Sequence, residues 1–362
     1  NTIRDNELAG NGSDEAFPEP EPGFEPESIE SLLGGLPANV VIEEGAGATI
    51  SGNKIGDTTG IVAVGAVDTS VSDNDLLGAV GVVAGATDPV EVGLTVSDNT
   101  FGADDGGEAV GVGVVVIGGG VEISGNTFVR KAIPVLGAAV PLGSPFTVKD
   151  NTMDDAVIGV FMAGVVGGTV ENNDLDGQIG LIAVGDASST TGQNVFQQNT
   201  LATKVGAIVI TEISDKFLDN SFTGGDDHLG LLLAVTGETT VSHNEFDVNV
   251  GVFSIGPGLP AFGRNSFSSN TFTGDIGLVV AGEDGTKIER NTFTDNQLGM
   301  LLASSQASTI DSNTSTGGGV PMLLVNVGGA RISDNKISGA ELAALVVAKE
   351  PDETIPTETE LS

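Results

Sequence analysis

Ile288-Glu289-Arg290-Asn291-Thr292-Phe293 is an apolar residue, two variable residues, an asparagine, one variable residue and a second apolar residue. The same phrase stands at Ile50-Ser51-Gly52-Asn53-Lys54-Ile55 and at Val96-Ser97-Asp98-Asn99-Thr100-Phe101. Its asparagine recurs as Asn6, Asn53, Asn74, Asn99, Asn126, Asn151, Asn173, Asn199, Asn220, Asn244, Asn270, Asn291, Asn313 and Asn335, and after the first interval the spacing is 21 to 27 residues. A unit of that length cannot bury its own apolar face and must stack on its neighbours.

Within each unit the apolar residues alternate over short runs, as strands do, and no run at helical spacing is long enough for a crossover helix. That excludes helical solenoids and alternating strand-helix folds. About 23 residues per turn suit three short strands and three bends, each turn lying about 4.8 Å above the last in parallel register. The fold expected is all-β, a parallel β-solenoid of about 13–14 turns roughly 65 Å long.

The asparagine suits a sharp bend, since it tolerates the left-handed backbone region better than other non-glycine residues. Stacked at one bend, its amides can hydrogen-bond from turn to turn. The apolar residue two positions later forms a second inward column of Ile55, Leu76, Phe101, Phe128, Met153, Leu175, Leu201, Phe222, Phe246, Phe272, Phe293 and Ile337, which Ser315 interrupts. So regular an asparagine is read as structural.

These phrases resemble the repeats of the right-handed parallel β-helix proteins, and the resemblance covers nearly the whole chain. It implies that fold. The family includes pectate lyases, polygalacturonases, sugar epimerases, tailspikes, adhesins and periplasmic proteins that help mature copper enzymes, so function has to be argued separately.

Fifty acidic residues against 13 basic ones give a formal charge of −37 and no cysteine is present. Nucleic acid is thereby disfavoured as a partner, disulfides and thiolate metal sites are excluded, and adaptation to high salt is expected. No run of apolar residues is long enough for a transmembrane helix. The chain opens inside a repeat, at Asn1-Thr2-Ile3-Arg4-Asp5-Asn6, as a fragment or processed product would. Residues 1–348 are assigned to the solenoid and 349–362 to an acidic Thr/Glu/Pro tail or linker. The long first interval is read as an acidic, Pro-rich insertion over 11–38 that covers the N-terminal end.

A further strand in each turn is apolar at both parities, as in Gly230-Leu231-Leu232-Leu233-Ala234. Taking the second residue after glycine as inward, Leu231, Leu233, Leu278, Val280, Met300, Leu302, Met322 and Leu324 form an outer apolar stripe, a surface for self-association or for another surface component. Ile61, Ala63 and Leu181 extend it.

Candidate chemistry lies outside the ladder. Stacking the repeats brings Asp104, Asp105, Glu108, Arg130, Lys131, Asp154 and Asp155 to one edge, where carboxylates beside a basic residue would suit a Ca²⁺-assisted lyase or a hydrolase acting on polysaccharide. Asp226 and Asp227 beside His228 resemble the paired aspartates of polygalacturonases, but the later His and Arg-x-Lys of that family are missing. With Asp104, Asp105 and Glu108 they are candidate Ca²⁺ ligands; no other cofactor is expected. The two histidines and four methionines do not converge, which ranks a copper-maturation role third among the readings. The absence of Trp and Tyr argues against a sugar-stacking groove. The sequence therefore points to a secreted or cell-surface structural module, a spacer, adhesin or fibre component, with a polysaccharide lyase or hydrolase as the alternative.

Overall fold

The computed structural model describes residues 2–8, 38–43, 46–56, 59–85, 93–102, 109–118, 120–140, 144, 146–185, 194–256, 264–342 and 345–347. The insertion up to Leu36 and Pro37, the acidic tail, and Asp104, Asp105 and Glu108 lie outside them. The chain divides into two compact units, 1–178 and 179–362.

Each unit stacks the same three-strand turn. In the first, Thr2–Arg4, Thr49–Ser51, Thr69–Ser72, Leu94–Ser97, Val121–Ser124, Phe146–Lys149 and Thr169–Glu171 form one parallel sheet in that order. In the second, Val195–Gln197, Lys216–Leu218, Thr240–Ser242, Ser266–Ser268, Lys287–Glu289, Thr309–Asp311 and Arg331–Ser333 repeat it. Each of these strands ends two residues before a ladder asparagine, after which a short strand and a longer one form the second parallel sheet. In the second unit the longer strands include Leu229–Ala234, Val250–Ile255, Ile276–Ala281, Leu298–Ala303 and Val320–Val325. The described residues contain no helix.

The ladder is hydrogen-bonded as the sequence requires. Asn53 donates from both its backbone N–H (3.0 Å) and its Nδ2 (2.9 Å) to Asn74 Oδ1, and the pattern continues through Asn99, Asn126 and Asn151 to Asn173. The second unit repeats it from Asn199 to Asn335. One expectation is corrected here. The left-handed residue of the bend is the one before the asparagine, for example Asp98 (φ 57), Asp219 (φ 55), His243 (φ 58) and Arg290 (φ 56). That residue turns the chain, and the asparagine is thereby aimed inward to serve as a link.

The column two positions on is the centre of the core. Phe222, Phe246, Phe272 and Phe293 stack with ring centroids 4.6, 5.0 and 5.0 Å apart, close to one turn of rise. The glycine that opens the longer strand is imposed by this stack. A Cβ on Gly251 would sit 2.5 Å from Phe272 Cδ1 and 2.5 Å from the Gly277 carbonyl oxygen.

The candidate association face, acidic groove and carboxylate edge

The longer strand decides which apolar side chains face outward, and it reverses the parity expected from the sequence. The glycine lies against the phenylalanine stack and the residue after it also faces the core, so the alternation is broken at the glycine and resumes beyond it. Leu231, Leu233, Leu278, Val280, Met300, Leu302, Met322 and Leu324 are therefore buried, none more than 4% exposed, as are Ile61, Ala63 and Leu181. They form no outer stripe.

The opposite parity is apolar as well. Ile208, Leu232, Phe253, Val279, Leu301 and Leu323 are in register on six successive turns. Beside them runs a column from Val205 through Leu229, Val250, Ile276 and Leu298 to Val320, and on the other side one from Ile210 through Ala234, Ile255, Ala281 and Ala303 to Val325. No polar side chain interrupts these eighteen positions. Ile255 is 40% and Ile210 37% exposed, and most of the rest are half-buried. Six turns of rise and a six-residue strand make a patch of about 24 by 20 Å. In the first unit the corresponding outward residues Val62 and Val83 are buried, in a cluster with Val64 on which Ala38 packs.

Of the carboxylate edge, Arg130 Nε and Asp155 Oδ2 meet at 3.7 Å, and Asp154 lies exposed beside them. Lys131 does not join them. Arg130 takes a left-handed conformation (φ 50), which turns the next residue inward, so Lys131 is 2% exposed and its Nζ donates to the Gly78 carbonyl. Burial holds its ammonium below the usual lysine range. A lysine so placed secures a bend and cannot act at the surface.

Asp226 lines a groove of about 180 Å³ with Asp247, Asp275 and Asp295 from the turns that follow. Thr273 Oγ1 donates to Asp247 (2.8 Å), and Asn249 Nδ2 to Asp275 (3.3 Å). The last three aspartates escaped the sequence reading because they stand at different offsets from their ladder asparagines; superposing the loops rather than the strands would have grouped them. Asp227 points to solvent, 3.2 Å from His228 Nδ1, which accepts the Gly225 N–H at 2.7 Å and is thereby an acceptor. Among the described residues no three acidic or histidine side chains converge as metal ligands, and no helix is long and apolar enough to cross a membrane.

Comparison with known proteins agrees with the stacked sheets. Residues 250–356 match the family described as the right handed beta helix region. The chain is a right-handed parallel β-helix. No curated protein matches it. Among solved structures, this β-helix is similar to the A-module of the mannuronan C-5 epimerase AlgE4 of Azotobacter vinelandii, over 85% of each chain, at 14% identity and a TM-score of 0.34.

Proposed function

We propose that this β-helix is a structural module of a cell surface, adapted to high salt, and that it associates with a second copy of itself through the outward apolar face of its second unit. The observation that carries the reading is the three uninterrupted apolar columns around Leu232, Phe253 and Leu301 on a chain of net charge −37. Two such chains repel wherever their carboxylates face each other, so an uncharged face is where they can approach at least cost. In the first unit Val62 and Val83 at the same outward position are buried, whereas Val115, Leu136 and Phe161 are half-buried as in the second unit. The patch, about 24 by 20 Å, is roughly half of what each partner contributes to a stable interface. Association is therefore expected to be weak, and to strengthen in molar salt, where repulsion is screened over a few ångströms.

Light scattering in molar salt on the native chain and on a Leu232→Glu, Leu301→Glu double variant tests it. A native multimer that becomes monomeric in the variant is the expected result. A native monomer, or a multimer indifferent to both changes, overturns it.

The groove at Asp226, Asp247, Asp275 and Asp295 favours a second reading, action on a neutral polysaccharide. Its test is release of new chain ends from neutral glycans and the loss of that release in Asp247→Asn.

A further inference from the structure

At the corner between the longer strand and the next first-sheet strand, the second unit carries acidic side chains inside the shaft. Glu283 is 6% exposed and fully partnered. Ser254 Oγ donates to its Oε1, Thr286 Oγ1 donates to its Oε2 at 3.1 Å, and Asn265 supplies a further side-chain hydrogen bond. Glu212 occupies the equivalent place in an earlier turn of this unit, also 6% exposed. Each glutamate packs over the glycine at the end of the longer strand in the turn below, Glu283 over Gly256 and Glu212 over Gly185.

The surroundings differ in a decisive way. Three residues after Glu283 stands a hydroxyl donor, Thr286, whereas three residues after Glu212 stands a second acid, Asp215. Asp215 is fully buried. Its Oδ1 accepts the Asn194 N–H at 3.0 Å, the Asn194 side chain adds a hydrogen bond to the carboxylate, and among the described residues Oδ2 has no partner. On the next turn Thr239 stands in register with Asp215, since the following Thr240 N–H donates to the Asp215 carbonyl and Lys216 pairs with Thr240. Thr239 is fully buried, and its Oγ1 likewise lacks a partner. Unpartnered oxygens one above the other are about one turn of rise apart, near 4.8 Å. That is twice the 2.3–2.6 Å of a calcium–oxygen contact.

We infer that Glu212, Asp215 and Thr239 form an internal site for one hard divalent cation, Ca²⁺ being the best fit. Two carboxylates and one divalent ion sum to zero charge, which removes the main cost of burying the acids. Oxygen-only ligation suits Ca²⁺, whose coordination shell also accepts carbonyl and water oxygens. The site is remote in character from the surface acids: among the described residues no basic group acts on either carboxylate, and burial together with Glu212 pushes the Asp215 carboxyl well up from its ordinary range.

The full chain, stripped with a chelator and returned to molar potassium chloride, is titrated with Ca²⁺ while bound equivalents are counted by equilibrium dialysis and the thermal midpoint is followed. The native chain is expected to bind one equivalent more than Asp215→Asn and Glu212→Gln, and to show a Ca²⁺-dependent rise in midpoint that both variants lose. Asp227→Asn, at an exposed acid, should keep both. Thr239→Val, which removes a ligand and no charge, should weaken the tight equivalent about tenfold and covers the case in which an acid variant fails to fold. Equal stoichiometry and an equal rise in Asp215→Asn and the native chain would overturn the site, as would a Thr239→Val variant with unchanged affinity. The carboxyls would then share a proton instead, seen by carbon NMR as a titration of the pair that Ca²⁺ does not disturb.

Discussion

Asn291 Oδ1 accepts two hydrogen bonds from Asn270, one from its backbone N–H at 2.9 Å and one from its Nδ2 at 3.0 Å, while Asn291 Nδ2 donates onward to Asn313 Oδ1 at 3.0 Å and to the Phe267 carbonyl at 2.9 Å. One side chain thus satisfies polar groups on the turns before and after its own. Asn291→Ala leaves a buried backbone N–H and a buried carbonyl without partners, and is expected to cost about 3 kcal/mol in denaturant unfolding at high salt. Asn291→Asp keeps the accepting oxygen but sets the other against the Phe267 carbonyl. It should be severely destabilised at neutral pH and recover in acid, when that oxygen carries a proton.

The phenylalanine column fails at one turn, where Ser315 follows Phe293. A cavity of about 10 Å³ lies there among Phe293, Met300 and Met322. The space holds at most about one water, so Ser315→Leu overfills a site whose serine is 8% exposed, and a loss of about 1–3 kcal/mol is expected. Phe272→Ala, in the unbroken part of the stack, should lose about 3–5 kcal/mol. Paired unfolding curves of these two variants check both values.

The repeat, its parallel stacking and the inward asparagine and phenylalanine columns were legible because each is fixed by spacing alone. The parity of the longer strand was not. Leu231, Leu232 and Leu233 are the same residue, and the alternation is broken at Gly230, which faces Phe246 while Leu231 beside it is also buried, a break that only the packing between turns reveals. Lys131 escaped for a similar reason, since the left-handed Arg130 before it reverses its side and only the backbone reveals this. The internal acids Glu212, Asp215 and Glu283 stand at bends, where acids are ordinarily solvated, and nothing in their own stretch distinguishes them from the surface carboxylates.

Leu232 and Leu233 therefore make a direct test of the corrected parity. Leu233→Glu places a carboxylate among fully buried neighbours and is expected to prevent folding or to lower the thermal midpoint steeply. Leu232→Glu points outward and should leave the circular dichroism spectrum unchanged, with a loss of no more than about 1 kcal/mol. Equal damage from both, measured by thermal melts on the two single variants, would contradict the assignment of faces.

Burial raises the Glu212 carboxyl from 4.5 to about 7, and Asp215 and Glu283 are raised by the same cause. A carboxyl whose folded pKa lies above its unfolded one favours the folded state while it is protonated in both. That contribution is complete at low pH and declines as pH rises through the folded value. The chelator-treated chain is therefore expected to lose stability from about pH 4.5 to about 7 through Glu212, and from about pH 3.8 upward through Asp215. Glu212→Gln should flatten the slope between about pH 4.5 and 7, and Asp215→Asn the slope from about pH 3.8 upward. Ca²⁺ should flatten both in the native chain by favouring the ionised pair. Thermal midpoints measured across this range at constant high ionic strength decide the matter, because screening by salt removes surface repulsion and leaves the slope of the buried groups.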